Sequence, residues 1–164
     1  MNKENHDIRV RRAGTEDILP LVQFNHAMAF ETENKSLDQS CLRKGVEAVL
    51  EDDSKGFYLI AETVGEVVGG LLITYEWSDW RNALFWWIQS VYILPRWRKK
   101  GVYKCLYKQV LIQAGEKQIC GIRLYVASEN HNAQKVYRRL GMTSSHYELY
   151  EVSLDTGTES RHSP

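Results

Sequence analysis

Apolar and polar positions along the 164-residue chain change their period several times, and each change predicts an element. Residues 7–13, DIRVRRA, alternate and predict a strand. Thr15 then precedes Glu16 and Asp17, a cap followed by acids that suit the positive end of a helix. Ile18, Leu19, Leu21, Val22, Met28 and Phe30 form that helix's apolar face, and Pro20 is compatible with it only in the first turn. A second helix is predicted from Asp38 to Leu50, with Leu42, Val46, Val49 and Leu50 on one side. The centre is rich in strands. GFYLIAET and VVGGLLITYEW flank a hairpin signal at Gly65-Glu66. NALFWWIQSVYIL is apolar on both faces, which predicts a buried central strand ended by Pro95. From Gly101 to Gln118 the period becomes helical, with Val102, Leu106, Val110 and Ala114 recurring every fourth residue. GIRLYVA predicts a strand, ENHNAQKVYRRLG a short helix with Gly141 as its cap, and HYELYEVSL a final alternating strand. The order β, α, α, β, β, β, α, β, α, β is mixed α/β with one strand–helix–strand crossover. It is not the doubly wound order of a dinucleotide-binding fold.

Composition narrows the class. Apolar residues make up 43% and charged residues 26% of the chain, ordinary values for one globular domain over 1–164. The polar ends, 1–6 and about 155–164, are expected to be disordered tails. Net charge is zero, which argues against a nucleic-acid partner. No apolar run approaches the roughly 20 residues of a membrane span, and the N-terminus has no apolar stretch of the signal-peptide kind. Neither a membrane partner nor secretion is expected. Cys41, Cys105 and Cys120 are odd in number and widely spaced, fitting neither a disulfide framework nor a metal site. The expectation is therefore a cytoplasmic protein without metal, its cysteines buried as small hydrophobes.

One stretch stands out from this neutral background. In LPRWRKKGVYK, five cations fall within the nine residues from Arg96 to Lys104, around Gly101. The stretch joins the end of the central strand to the start of a helix. The first N–H groups of a helix have no intrahelical partner and carry partial positive charge. Gly101 lets another group approach that backbone, and Arg98, Lys99 and Lys100 add full charges. These features predict an anion site suited to a pyrophosphate. Neither a Walker-type phosphate loop nor G-x-G-x-x-G occurs.

Three segments, in order, resemble the GNAT N-acetyltransferase superfamily. SVYILPRWRKKGVYKCLY is similar to its strand, pyrophosphate loop and helix. NHNAQKVYRRLGM is similar to its N-x-x-A-x-x-x-Y-x-x-x-G-[FM] segment. IRVRRAGTEDI with the GEVVGGLLI hairpin is similar to its opening. The likeness spans about residues 7 to 153. It implies a mostly antiparallel twisted sheet splayed between strands 4 and 5, with helices on both faces. Acetyl-CoA is implied as co-substrate, and an acceptor that is the primary amine of a small molecule, attacking directly in a ternary complex. Carried over, Val91, Tyr92 and Ile93 would pair with the pantetheine arm, with the Ile93 N–H stabilising the oxyanion. Arg98, Lys99, Lys100, Gly101, Val102 and Tyr103 would hold the pyrophosphate. Asn130 and Ala133 would complete the cofactor site, and Tyr137 would act as general acid toward the thiolate.

The chain departs from the family pattern at Tyr103, where a small residue is usual. It also lacks the glutamate that histone-type members carry on the central strand, which here reads Trp86, Trp87, Ile88, Gln89. Acidic candidates for a base or an acceptor site are Glu31 and Glu33 after the first helix, and Glu76 and Asp79 before the central strand. With Trp77 and Trp87 they would suit a cationic amine. His26 and His131 are not expected to be catalytic. Alternatives are acetylation of a protein amine and a non-catalytic acyl-CoA sensor on the same fold. The apolar last strands permit a homodimer.

Overall fold

The protein is represented by a computed structural model that describes residues 7–154. The expected tails lie outside the described residues. The chain divides into two compact units, Met1–Ala127 and Ser128–Pro164.

The first unit holds a five-stranded sheet in the order β1-β2-β3-β4-β5. Its strands are β1 Arg9–Arg12, β2 Phe57–Thr63, β3 Glu66–Ser78, β4 Ala83–Ile93 and β5 Gly121–Leu124. The first four pair antiparallel, and β5 joins β4 in parallel after a helical crossover. The helices are α1 Ile18–Glu33, α2 Gln39–Glu51 and α3 Val102–Glu116. This is the mixed α/β architecture that the order of periods predicts.

Local chemistry accounts for most boundaries. The Asp38 carboxylate accepts the Cys41 N–H at 2.6 Å and starts α2. A single 3-10 turn, Thr15–Asp17, precedes α1, so Pro20 does fall in its first turn. The expected Thr15 cap is replaced by Asp17, whose carboxylate turns back to the Gly14 N–H at 2.8 Å. Asp17 is buried, and Arg11 grips it with two bonds of 2.7 and 3.0 Å.

α1 and α2 pack on one face of the sheet, where Leu21, Val22 and Val46 meet Tyr58 and Ile60. α3 covers the other face. Its four-residue stripe of Val102, Leu106, Val110 and Ala114 is buried, as the periodicity predicts. Each large apolar side chain so buried contributes about 1.5–3 kcal/mol.

The hairpin turn lies one residue earlier than expected. Thr63 faces Glu66, and Val64 and Gly65 both have positive φ, 52° and 75°. That is the primed turn which matches strand twist. β5 is also shorter than GIRLYVA predicts, ending at Leu124.

The second unit contains α4, His131–Arg139. Asn130 caps it through a 3.1 Å bond from the Ala133 N–H. Gly141, at φ 90°, closes it in a Schellman arrangement: Met142 N–H donates to Tyr137 C=O and Gly141 N–H to Arg138 C=O. The expected final strand over 146–154 is not formed. Its alternation breaks at the adjacent pair Leu149–Tyr150, and Tyr147, Leu149, Tyr150, Val152 and Leu154 are all exposed. Alternation favours a strand only where a neighbour supplies the ladder. The cysteines correct a further expectation: Cys41 is exposed, and Cys105 and Cys120 are half-buried.

Candidate active site

β4 carries the centre of the candidate site, and a bulge shapes it. Gly70 pairs with Tyr92 and Leu72 with Gln89, so β4 spends one more residue than β3 over this interval. The extra residue adopts a kinked conformation at Ser90, φ 49°. Side chains alternate along a strand, so without the bulge Gln89 and Tyr92 would point to opposite faces. With it, Trp87, Gln89 and Tyr92 share the α1/α2 face.

Beyond the bulge, β4 has an open edge. Pairing with β5 ends at Ile88 and Leu124, while β4 runs on to Ile93. Leu94 donates its N–H to Val68 across β3 at 3.0 Å. Alternation therefore directs the Ile93 N–H away from β3, toward the edge that β5 has left. Gly69 stands opposite Ile93, and a Cβ there would come within 2.5 Å of the Ile93 side chain, so glycine lets the two strands approach.

The basic loop follows directly. After a 3-10 turn over Pro95–Trp97, Gly101 caps α3 at φ 87°. Nothing lies within 4 Å of the place a Cβ on Gly101 would occupy. The cradle is thus open, and glycine is needed for its backbone angle alone. α3 starts directly after Gly101, at Val102, and the first N–H groups of a helix have no partner within the helix. Tyr103 does not fill the cradle: its ring stacks on Tyr107 one turn along the helix, 6.1 Å between centroids.

The five cations have separate duties. Arg96 pairs with Glu66, and the Lys100 ammonium sits 4.9 Å from the centre of the Trp97 ring. Arg98 donates through Nε to the Ile93 carbonyl at 3.0 Å and through Nη2 to Glu31 at 2.6 Å. Lys99 and Lys104 form no ion pair among the described residues.

Glu31 also accepts from the Tyr92 hydroxyl at 2.6 Å. The Tyr92 bond, and then Arg98, hold the Glu31 carboxyl below its ordinary pKa. Burial, and then Glu31, push the Tyr92 phenol up. Phe24 of α1 packs on the same ring at 5.4 Å. Glu33 is instead exposed and paired with Lys35.

Glu76 belongs to a second cluster on the same sheet face. One carboxylate oxygen accepts from the Trp87 indole at 2.5 Å and the other from Arg123 at 2.7 Å. Tyr125 lies against Trp87, centroids 4.4 Å apart, and Gln89 bonds Thr74 at 3.1 Å. Trp77 and Asp79 are not brought to this cluster. Trp77 points to the opposite face and is exposed, and Asp79 accepts the Trp80 N–H in the turn. Arg123, Tyr125 and Gln89 escaped the sequence reading. The lone charge inside GIRLYVA was a signal for Arg123.

In the second unit, Asn130 and Ala133 make the helix cap, and Tyr137 sits half-buried on α4. Burial raises the Tyr137 pKa above its ordinary value. His131 is exposed. His26 is half-buried in α1, its Nδ1 without a hydrogen-bond partner among the described residues.

Residues 20–142 match the family model of the acetyltransferase (GNAT) family. The chain belongs to the GNAT acetyltransferase family. A possible acetyltransferase from Clostridium difficile 630 is similar to this GNAT chain at 41% identity and TM-score 0.83, covering 90% of this chain and 97% of that one. Two more distant structures show the same GNAT fold. One is a predicted acetyltransferase from Clostridium acetobutylicum, solved with acetyl-CoA: 18% identity, TM-score 0.73, 88% and 96% covered. The other is an aminoglycoside acetyltransferase from an uncultured soil metagenomic sample, in complex with trehalose: 17% identity, TM-score 0.73, 93% and 99% covered. A comparison with curated proteins finds no match. Among the described residues no helix is long and apolar enough to cross a membrane.

Proposed function

We propose that this GNAT acetyltransferase transfers the acetyl group of acetyl-CoA to the primary amine of a small molecule, by direct attack within a ternary complex and in one domain that includes both compact units. The observation that carries the reading is the open edge of β4: an Ile93 N–H aimed away from β3, followed by a glycine-led helix start.

Acetyl-CoA supplies an activated acyl group as a thioester. Val91, Tyr92 and Ile93 offer backbone groups to its pantetheine arm. The stretch from Arg98 to Tyr103, ending in the first turn of α3, offers backbone N–H donors to the pyrophosphate, with Lys99 and Lys100 adding charge. Asn130 and Ala133, at the start of α4, complete the cofactor side. The Ile93 N–H donates to the negative charge that develops on the acyl oxygen, which fixed donors stabilise without reorganisation.

Tyr137 serves the departing sulfur. A phenol with its pKa raised by burial stays protonated at neutral pH. Even for an ordinary phenol of pKa about 10, full transfer to a thiolate of pKa near 8.5 would be uphill by about 2 kcal/mol, so the Tyr137 phenol acts chiefly as a hydrogen-bond donor.

The amine must arrive neutral. At pH 7 an alkylammonium costs roughly 4–5 kcal/mol to deprotonate. Glu31 is a weak base because its carboxylate is held by Tyr92 and Arg98. Both oxygens of Glu76 are engaged as well. We therefore assign Glu31 and Glu76 to the walls of the acceptor site and the proton to a water chain. The free cysteines suit a reducing cytoplasm.

A thiol-release assay with acetyl-CoA across an amine library tests the reading. Release that depends on the amine supports it, and a Tyr137→Phe variant should then keep its affinity for acetyl-CoA while kcat falls. Binding of acetyl-CoA without release for any amine would sink it in favour of an acyl-CoA sensor.

A further inference from the structure

The cluster around Phe85 points to the chemistry of the acceptor. Phe85 is buried with its ring over Gly121, where a Cβ would come within 2.5 Å of it. Two guanidiniums converge on that ring. Arg123 lies 3.7 Å from the ring centre and Arg81 lies 5.1 Å from it. Arg123 also reaches over Trp87 at 5.9 Å.

The charges there do not cancel. Glu76 is the carboxylate bonded to the cluster, and it meets Arg123 through Nη1 alone. Its other oxygen is taken by the Trp87 indole. Among the described residues, Arg81 has no ion pair, and the remaining N–H groups of Arg123 have no hydrogen-bond partner. Arg123 is about a third exposed, with a side-chain value of 35%. Stacked on Phe85 and anchored by Glu76, its planar fork is held in place with donors to spare. A fixed guanidinium fork matches a carboxylate better than any neutral group.

The position suits substrate as well. Arg123 is paired in register with Trp87, one step before β4 and β5 part, and on the face shared with Gln89 and Tyr92. Trp87 and the exposed Tyr125 add an aromatic wall beside it.

We propose that the acceptor carries a carboxylate as well as its amine, the carboxylate being held by Arg123 with Arg81 as second cation. This rests on the acetyl-transfer reading above and adds the acceptor's class to it. It narrows the expectation that the acidic and aromatic candidates suit a cationic amine, by adding a carboxylate to that amine.

Triglycine and triglycinamide, each with acetyl-CoA, test the proposal by turnover. Their N-acetylated forms test it by binding, through titration calorimetry, without any need for catalysis. The free acid should exceed the amide by about tenfold or more in kcat/KM, mainly through KM, a ratio typical of a charge-assisted bond. Arg123→Gln should bring that ratio close to one. Arg81→Gln, a change at an exposed position that does not threaten folding, should lower it less. Equal kcat/KM for acid and amide in the unaltered protein, or a ratio that Arg123→Gln leaves intact, would overturn the proposal. So would inorganic phosphate displacing the probe while the acid has no advantage over the amide, since the site would then favour phosphate. If the N-acetylated acid binds better than its amide yet neither tripeptide is acetylated, the carboxylate site stands and the acetyl-transfer reading fails. If neither N-acetylated probe binds, the carboxylate site fails.

Discussion

Glu31 on α1 accepts a 2.6 Å hydrogen bond from the hydroxyl of Tyr92 on β4, and its second oxygen accepts from Arg98 in the basic loop. One carboxylate thereby ties α1 to both the open strand and the basic loop. Arg98 completes the triangle by bonding the Ile93 carbonyl and lying 5.4 Å from the Tyr92 ring centre.

That link has a pH signature. The Glu31 pKa is lowered in the folded protein, so its stabilisation is present above the unfolded value of 4.5 and is lost as pH falls through the lower folded value. Both partners are more than a third exposed, which keeps the effect below about 1 kcal/mol. Glu31→Gln should lower the melting temperature slightly at pH 7, and the gap from the unaltered protein should narrow as pH falls below 4.5. A gap of constant size from pH 7 to pH 3 would contradict the linkage.

Gly101 offers a cleaner probe of the cradle. At φ 87° a Cβ is strained by the backbone alone, because nothing stands within 4 Å of it. Gly101→Ala should cost about 1–2 kcal/mol in urea unfolding. Because the same backbone aims the first N–H groups of α3, the KM for acetyl-CoA should rise several-fold while the KM for the amine changes little.

Asp17 should matter for stability and not for transfer. It is buried and held by Arg11 through two bonds, with the Gly14 N–H as a third donor. Glu62 braces the same guanidinium at 2.9 Å. Asp17→Ala removes the acceptor from all three donors and should cost about 3 kcal/mol, read from chemical denaturation.

Val64 is a position where the chain can be improved. A β-branched residue at φ 52° is strained, and here its side chain is 94% exposed and buries almost nothing. Val64→Asn suits the primed turn with Gly65 and should stabilise the protein by about 1 kcal/mol. A lower melting temperature in this variant would show that the turn is not of this type.

Most of the element order was legible because each signal is local. The stripe Val102, Leu106, Val110, Ala114 needs only a helical period, and Asp38 and Gly141 mark helix ends through bonds to residues a few positions away. Where legibility failed, a partner was missing from the local pattern. The HYELYEVSL segment has much of a strand's alternation and forms no strand, since a ladder requires a neighbour as well as a pattern.

The glycine-led basic loop and the Asn130–Tyr137 segment were determined by the sequence alone, since each depends on spacing within one short stretch. Tertiary structure decided which side chains face each other. A single extra residue at Ser90 puts Tyr92 on the same face as Trp87 and Gln89, and a run that is apolar on both faces has no alternation to reveal such a bulge. Strand register brings Arg123 beside Glu76, forty-seven positions earlier, and Arg98 meets Glu31 across sixty-seven. Local periodicity has no information about contacts at those separations. They come from how the strands align, and that alignment is what places Arg123 beside Trp87 and Glu76.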